Sequence, residues 1–154
     1  MVGDASAGMS SSEQASLITL LAHPDRTISW LGDVLGLTSS GATRLVERLV
    51  TKGWVSRSGS TDSRERRLRL TPAGRRQARS ALRQREELVS ASVATLSRTE
   101  RAQLEHLMER LVGDVTTSRL PALQTCRLCD RSACSSERGP CPLDHTIPAG
   151  ESFD

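Results

Sequence analysis

Apolar residues recur with a helical period along most of this chain, interrupted once by a stretch that alternates. In "SEQASLITLLAHPD", Leu17, Ile18, Leu20 and Leu21 form one face behind a capping Ser12, and Pro24 stops the helix. A short helix is predicted from Ile28 to Leu35, with Ile28, Leu31, Val34 and Leu35 apolar and Gly36 placed for a left-handed C-terminal turn. A third, capped by Thr38 or Ser39, carries Ala42, Leu45, Val46, Leu49 and Val50 and ends at Gly53. Then the period changes. "WVSR" and "RRLRL" alternate, with Val55, Leu68 and Leu70 facing inward, and flank the polar turn "SGSTDSRE". This is a hairpin with a basic, solvated tip. Thr71 as cap and Pro72 at the first helical position restart a helix, expected to reach about Leu96 with a stripe of Ala78, Leu82, Val89, Val93 and Leu96. The capping box "SRTE" opens a last long helix from Ser97 through roughly Ser118, with Leu104, Leu107, Met108, Leu111, Val112 and Val115 on one face; Pro121 ends or kinks it.

The predicted fold is mainly α with a minor β part (α+β): a winged helix-turn-helix with a two-stranded wing, long C-terminal helices and a cysteine-rich C-terminal segment. The expected division is a disordered stretch at 1–11, and a winged helix-turn-helix at 12–96 with its wing at about 54–70, running into the first long helix. A second long helix follows at 97–120, then a cysteine-rich segment at 121–145 and a disordered tail at 146–154. The two long stripes exceed what so small a lobe can bury, so a partner subunit is expected, in addition to or instead of an intramolecular helical hairpin.

Composition supports helices, since aromatic residues make up 2% of the 154 and the core must be built from Leu, Val and Ala. The formal charge of +3 is unevenly distributed. Between Lys52 and Arg85 there are eleven basic residues against two acids, Asp62 and Glu65, an excess that suits a polyanionic partner. Nothing in the sequence is apolar for long enough to span a membrane, and the N-terminus does not read as a secretory signal, so a cytoplasmic location is expected. No phosphate-cradling or hydrolytic motif is present, which argues against an enzyme.

A short helix bracing a following one places the latter for a major groove. Of its first exposed residues, Ser39, Ser40 and Thr43 are small enough to allow close approach, and Arg44 is long enough to reach a guanine edge. The hairpin adds to this. Leu49, Lys52, Gly53, Val55 and Arg57, then Asp62, Arg64, Leu68, Leu70, Thr71 and Gly74, match the pattern "L..KG.V.R" followed by "D.R...L.LT..G". In these residues the chain, over about 12 to 120, resembles the MarR-type (multiple antibiotic resistance regulator) transcription factors. The resemblance implies a homodimer on a near-palindromic double-stranded DNA operator, with repression the commoner outcome and a small-molecule effector possible. It implies that Asp62 organises the wing, that Arg64 enters a minor groove, and that Arg66 and Arg67 lie on flanking phosphates, with Arg57 at the wing's base. It implies that the two long helices are dimerisation arms. It also implies an N-terminal dimerisation helix ahead of Ser12, where only eleven residues stand. Either the start is misassigned or the dimer rests mainly on the C-terminal helices. A winged-helix module that binds protein rather than DNA is the competing class.

All four cysteines fall within "CRLCDRSACSSERGPC": Cys126, Cys129, Cys134 and Cys141. Four thiolates so close together can close around one centre, and such sets belong to zinc or iron–sulfur chemistry. The long spacing of the second pair and Pro142 after the last cysteine favour an iron–sulfur cluster; zinc and a metal-free thiol or disulfide switch remain open. The tail resembles that of a MarR-type subgroup ending "CRLCD...C...CP". His145 is a spare ligand candidate or a solvated tail residue; His23 and His106 are read as incidental.

Overall fold

The computed structural model describes residues 8–59, 66–131 and 141–146. In chain order the elements are α1 (Ser11–Ala22), β1 (Arg26–Thr27), α2 (Ile28–Leu35), α3 (Ser39–Thr51), β2 (Val55–Ser58), β3 (Arg67–Leu70), α4 (Pro72–Ser92), α5 (Arg98–Gly113) and α6 (Arg119–Cys126), then one 3-10 turn (Asp144–Thr146). This is a mostly helical fold with a small antiparallel sheet, the winged helix-turn-helix expected from the pattern.

The first helix starts earlier than predicted. Ser10, not Ser12, is its cap: the Ser10 hydroxyl accepts from the Glu13 N–H at 3.3 Å, and the Glu13 carboxylate accepts from the Ser10 N–H at 2.9 Å. Met9 packs on the core, so residues 8–11 do not belong to the expected disordered stretch. The short second helix has the predicted bounds, with Thr27 as cap and Gly36 at φ 65°, a left-handed geometry that glycine adopts without steric cost. Thr38 caps α3.

Leu17, Leu20, Leu31, Leu45, Val46, Leu49, Val55, Leu68, Leu70 and Ala78 form one core. Each fully buried leucine there contributes about 1.5–3 kcal/mol relative to exposure. Val50, predicted on that face, is exposed. The sheet has three strands rather than two, in the order β1-β3-β2. Val55 pairs with Leu70 and Arg57 with Leu68, while Arg26 pairs with Leu68 on the far side. Leu68 and Leu70 therefore face inward, and Arg67 and Arg69 face solvent.

At the foot of α4, Gly74, Ala78 and Ala81 are buried, and this face lies against α1. A Cβ on Gly74 would stand 1.9 Å from the Trp54 carbonyl oxygen, which accepts the Thr71 N–H at 3.0 Å. The glycine of "TPAG" thus lets the wing's exit pass over its entrance. Both long helices end short of their predicted bounds. α4 stops at Ser92, where the Ser92 hydroxyl donates to the Leu88 carbonyl at 2.8 Å. Among the described residues nothing covers the upper part of the predicted stripes: Val89 is 55% exposed and Leu111 64%, and the neighbouring Leu88, outside the predicted stripe, is 70% exposed.

Pro121 is the main departure. It neither ends nor kinks the preceding helix; it sits in the first turn of a new one, α6, where a missing N–H leaves no bond unmade. α6 turns back and packs against α2.

Candidate nucleic-acid interface

Three elements meet on one face: α2, the start of α3, and the base of the wing. They enclose a cleft of about 380 Å3 whose walls include Ser39, Thr43, Arg57 and Arg66. The structure brings these four predicted residues together. Ser40 and Arg44 are exposed on the same helix start. The Thr43 hydroxyl donates to the Ser39 carbonyl at 2.9 Å, and the Ser40 hydroxyl lies 3.3 Å from that of Thr38. The helix start is thereby tied down while its outward surface stays small. Arg57 Nε is buried without a hydrogen-bond partner among the described residues. It is a donor suited to an anion. Asp62 and Arg64 lie outside the described residues.

Several basic residues of the arginine-rich run, Lys52, Arg67, Arg69 and Arg75, are engaged within the fold. Lys52 Nζ donates to Glu13 Oε1 at 2.7 Å and stands 4.7 Å from the centre of the Trp54 ring. Burial would raise the Glu13 pKa, but the Lys52 and Ser10 hydrogen bonds and the Lys52 and Arg48 charges outweigh it, and the net shift is downward. Arg69 grips the Asp25 carboxylate through Nε and through Nη2, the latter at 2.9 Å. That hydrogen bond holds the Asp25 carboxyl below the usual carboxylate range. Asp25 also donates its N–H to the Leu68 carbonyl at 3.1 Å, and its own carbonyl accepts from Arg67 Nη1 at 3.2 Å. The predicted phosphate ligand Arg67 is therefore partly engaged here, though exposed. Asp25 takes φ 61°, so a single residue turns the chain and clasps β3, the central strand, to the helix-turn-helix. The sequence signal for this clasp is slight: an aspartate, one of the residues that tolerate that region, directly after Pro24.

The cysteines occupy a separate place. Cys126, Cys129 and Cys141 line a second cleft, about 590 Å3, between α4, α5 and the C-terminal segment, with Val93, Leu104, Met108 and Leu143 on its walls. Cys126 and Cys141 pack with Val112 around Ala122 and Leu143. The Cys126 thiol donates to Cys129, and this bond, aided by the Arg85 and Arg131 charges against opposing burial, pulls the Cys129 pKa down to about 6. The same bond, with burial and the neighbouring thiolates, pushes Cys126 well above its ordinary value. The donor set suits a soft, thiolate-bound metal. Among the described residues, no three His, Cys, Asp or Glu side chains converge as a metal site does. Cys134 lies outside the described residues. His145 is not directed at the thiols: Nδ1 lies 3.1 Å from the Pro142 carbonyl and Nε2 3.0 Å from that of Thr116, so it ties the tail to the connection between α5 and α6. His23 is a core residue, its ring 5.4 Å from that of Trp30. No described helix is long and apolar enough to cross a membrane.

Residues 8–65 match the model of the MarR family. The chain is 32% identical over 114 residues to the HTH-type transcriptional regulator YdgJ of Bacillus subtilis, covering 73% of this chain and 69% of that protein. It is 33% identical over 101 residues to the transcriptional repressor MprA of Escherichia coli, covering 64% of this chain and 57% of the repressor. Among solved structures, Streptococcus pneumoniae FabT in complex with DNA superimposes with a TM-score of 0.60 at 26% identity, over 71% of this chain and 77% of FabT. With the braced helix, the glycine-gated wing and these relatives in agreement, the chain belongs to the MarR family of transcription regulators.

Proposed function

We propose that the protein is a repressor that binds duplex DNA as a two-fold dimer, with Ser39, Ser40, Thr43 and Arg44 entering the major groove. In this reading Arg57, Arg66 and Arg67 lie against phosphates, and the Asp62–Arg64 pair serves the minor groove. The observation that carries it is the cleft in which Ser39, Thr43, Arg57 and Arg66 converge, with the buried donor of Arg57 lacking a partner among the described residues. The FabT complex with DNA supports the same reading by likeness. The uncovered stripe of α4 and α5 supports the dimer, since so large an apolar surface is seldom left to water.

The test is a promoter-fragment shift at several salt concentrations. Binding is expected to weaken steeply with salt, and Arg57→Ala and Arg66→Ala are each expected to flatten the slope by roughly one while leaving the fold intact. Wild-type salt dependence in both variants would remove these arginines from the interface. A chain that shifts no fragment but captures protein would favour the interaction-module reading.

We further propose that Cys126, Cys129, Cys134 and Cys141 hold an iron–sulfur cluster, making operator affinity responsive to oxidant, nitric oxide or iron supply. The hydrogen-bonded pair at Cys126 and Cys129, with Cys141 on the same cleft, supports thiolate ligation. Such a cluster, when bound, supplies an electron-accepting centre that oxidants destroy. Oxygen-free purification with iron, sulfide and zinc analysis decides. Stoichiometric iron and sulfide support the cluster, zinc alone replaces it with a structural or sensory zinc site, and neither metal ends the metal reading.

A further inference from the structure

We propose that α6 is a strut that holds the turn of the helix-turn-helix, with Leu123 and Gln124 as positioning residues through which the state of Cys126 and Cys129 reaches the DNA-reading helix. This rests on the reading of the cysteines as an effector site.

The contacts are specific. Gln124 Nε2 donates to the Asp33 carbonyl at 2.9 Å. Asp33 lies in the last turn of α2, where carbonyls lack partners within the helix. The same oxygen accepts the Gly36 N–H at 3.2 Å, and the Leu37 N–H goes to Gly32 at 2.9 Å. Gln124 thus adds a second donor at the joint from which α3 departs. One residue earlier, Leu123 is 6% exposed and faces α2 beside a fully buried Ala122. On the other side, the Thr19 hydroxyl of α1 donates to the Arg127 carbonyl at 3.3 Å. The seam between them, lined by Ile18, Val34, Leu123 and Cys126 among others, offers about 10 Å3 to the centres of water-sized molecules, room for about a single water. A contact this tight transmits displacement instead of absorbing it.

The thiols sit at the other end of the same lever. Cys126 is the last residue of α6, about one helical turn beyond Leu123. The Cys129 N–H returns to the Cys126 carbonyl at 2.9 Å. A ligand that draws these thiols together, or its loss, acts on the helix end next to the strut's bearing surface. Coupling of this kind requires the turn to be held differently in the two states.

The experiment is hydrogen exchange at the Gly36 and Leu37 amides of the full chain, with operator affinity measured in parallel. Zinc alone serves as the probe ligand, compared in loaded and chelator-stripped reduced protein. Gln124→Ala removes one hydrogen bond and no apolar contact; Leu123→Ala removes the wedge. Gln124→Ala is expected to speed exchange at both amides about fivefold in the zinc-loaded form. Stripping should do the same to the wild type and add little to the variants, which should bind the operator as the stripped wild type does. Unchanged amides in both variants would overturn the strut. Faster amides in the variants, with stripping silent in a wild type that had bound zinc, would leave a strut that relays nothing and overturn the coupling. If the wild type takes up no zinc here and carries no iron and sulfide after oxygen-free purification, the effector reading fails and takes the relay with it, while the variants' amides still decide the strut.

Discussion

Gly74 illustrates how a motif position acquires its meaning from contact. In the sequence it is the closing letter of the pattern "D.R...L.LT..G" with no stated role, and in the fold a Cβ there would collide with the Trp54 backbone. Gly74→Ala is expected to cost at least about 2 kcal/mol, seen as a lowered thermal midpoint, because backbone rather than a flexible side chain must yield. Glu13 is the second such residue. It caps α1 through Ser10 and pairs with Lys52 from the end of α3, so one carboxylate fastens two helices. Glu13→Gln is expected to destabilise the fold by about 1–2 kcal/mol at neutral pH. Its folded pKa is depressed, so the unfolded chain takes up the proton first on acidification. The stabilisation is complete above the ordinary carboxylate pKa and is lost as pH falls through the lower folded value. Denaturant midpoints of wild type and variant should therefore converge at acid pH. Spacing alone identified neither partner: Lys52 and Glu13 are far apart in sequence, and Lys52 read as part of a DNA-facing basic run.

At the scale of elements, strong periodicity was readable and contact-dependent boundaries were not. α2 has its predicted bounds because cap, apolar face and terminal glycine all coincide. β1 is two residues long, too short to carry a pattern, and exists because β3 offers an edge and Asp25 a turn. Asp25→Ala is expected to quicken amide exchange along β3 and weaken operator binding with an unchanged far-ultraviolet spectrum, since the clasp orients the wing without filling the core. The long helices stop early where side chains and caps intervene, and among the described residues their apolar stripes stay exposed. Replacing Leu107 and Leu111 with glutamate is expected to shift the sedimenting species from dimer to monomer and weaken operator binding at least tenfold, since the monomer's half-site contacts then act alone.

For the whole molecule, the decisive feature is the return of the C-terminal segment onto the reading lobe. Sequence order places the cysteines beyond the two long helices, remote from DNA. The fold sets α6 against α2 and the thiols behind the helix-turn-helix. A four-cysteine-to-serine variant is expected to retain DNA binding and to show identical operator affinity before and after metal stripping, as measured by fluorescence anisotropy. A persistent difference would place the metal response elsewhere.

The sequence by itself determined the helices of the reading lobe, the hairpin and the inward faces of Leu45, Leu49, Leu68 and Leu70, because caps, glycines and hydrophobic period are local and agree with one another. Tertiary structure alone decided which arginines remain outward, where Lys52, Asp25 and Gln124 act, and what Pro121 begins instead of ends. Those outcomes depend on pairings between residues distant along the chain, and no local pattern encodes a partner that only packing brings within reach.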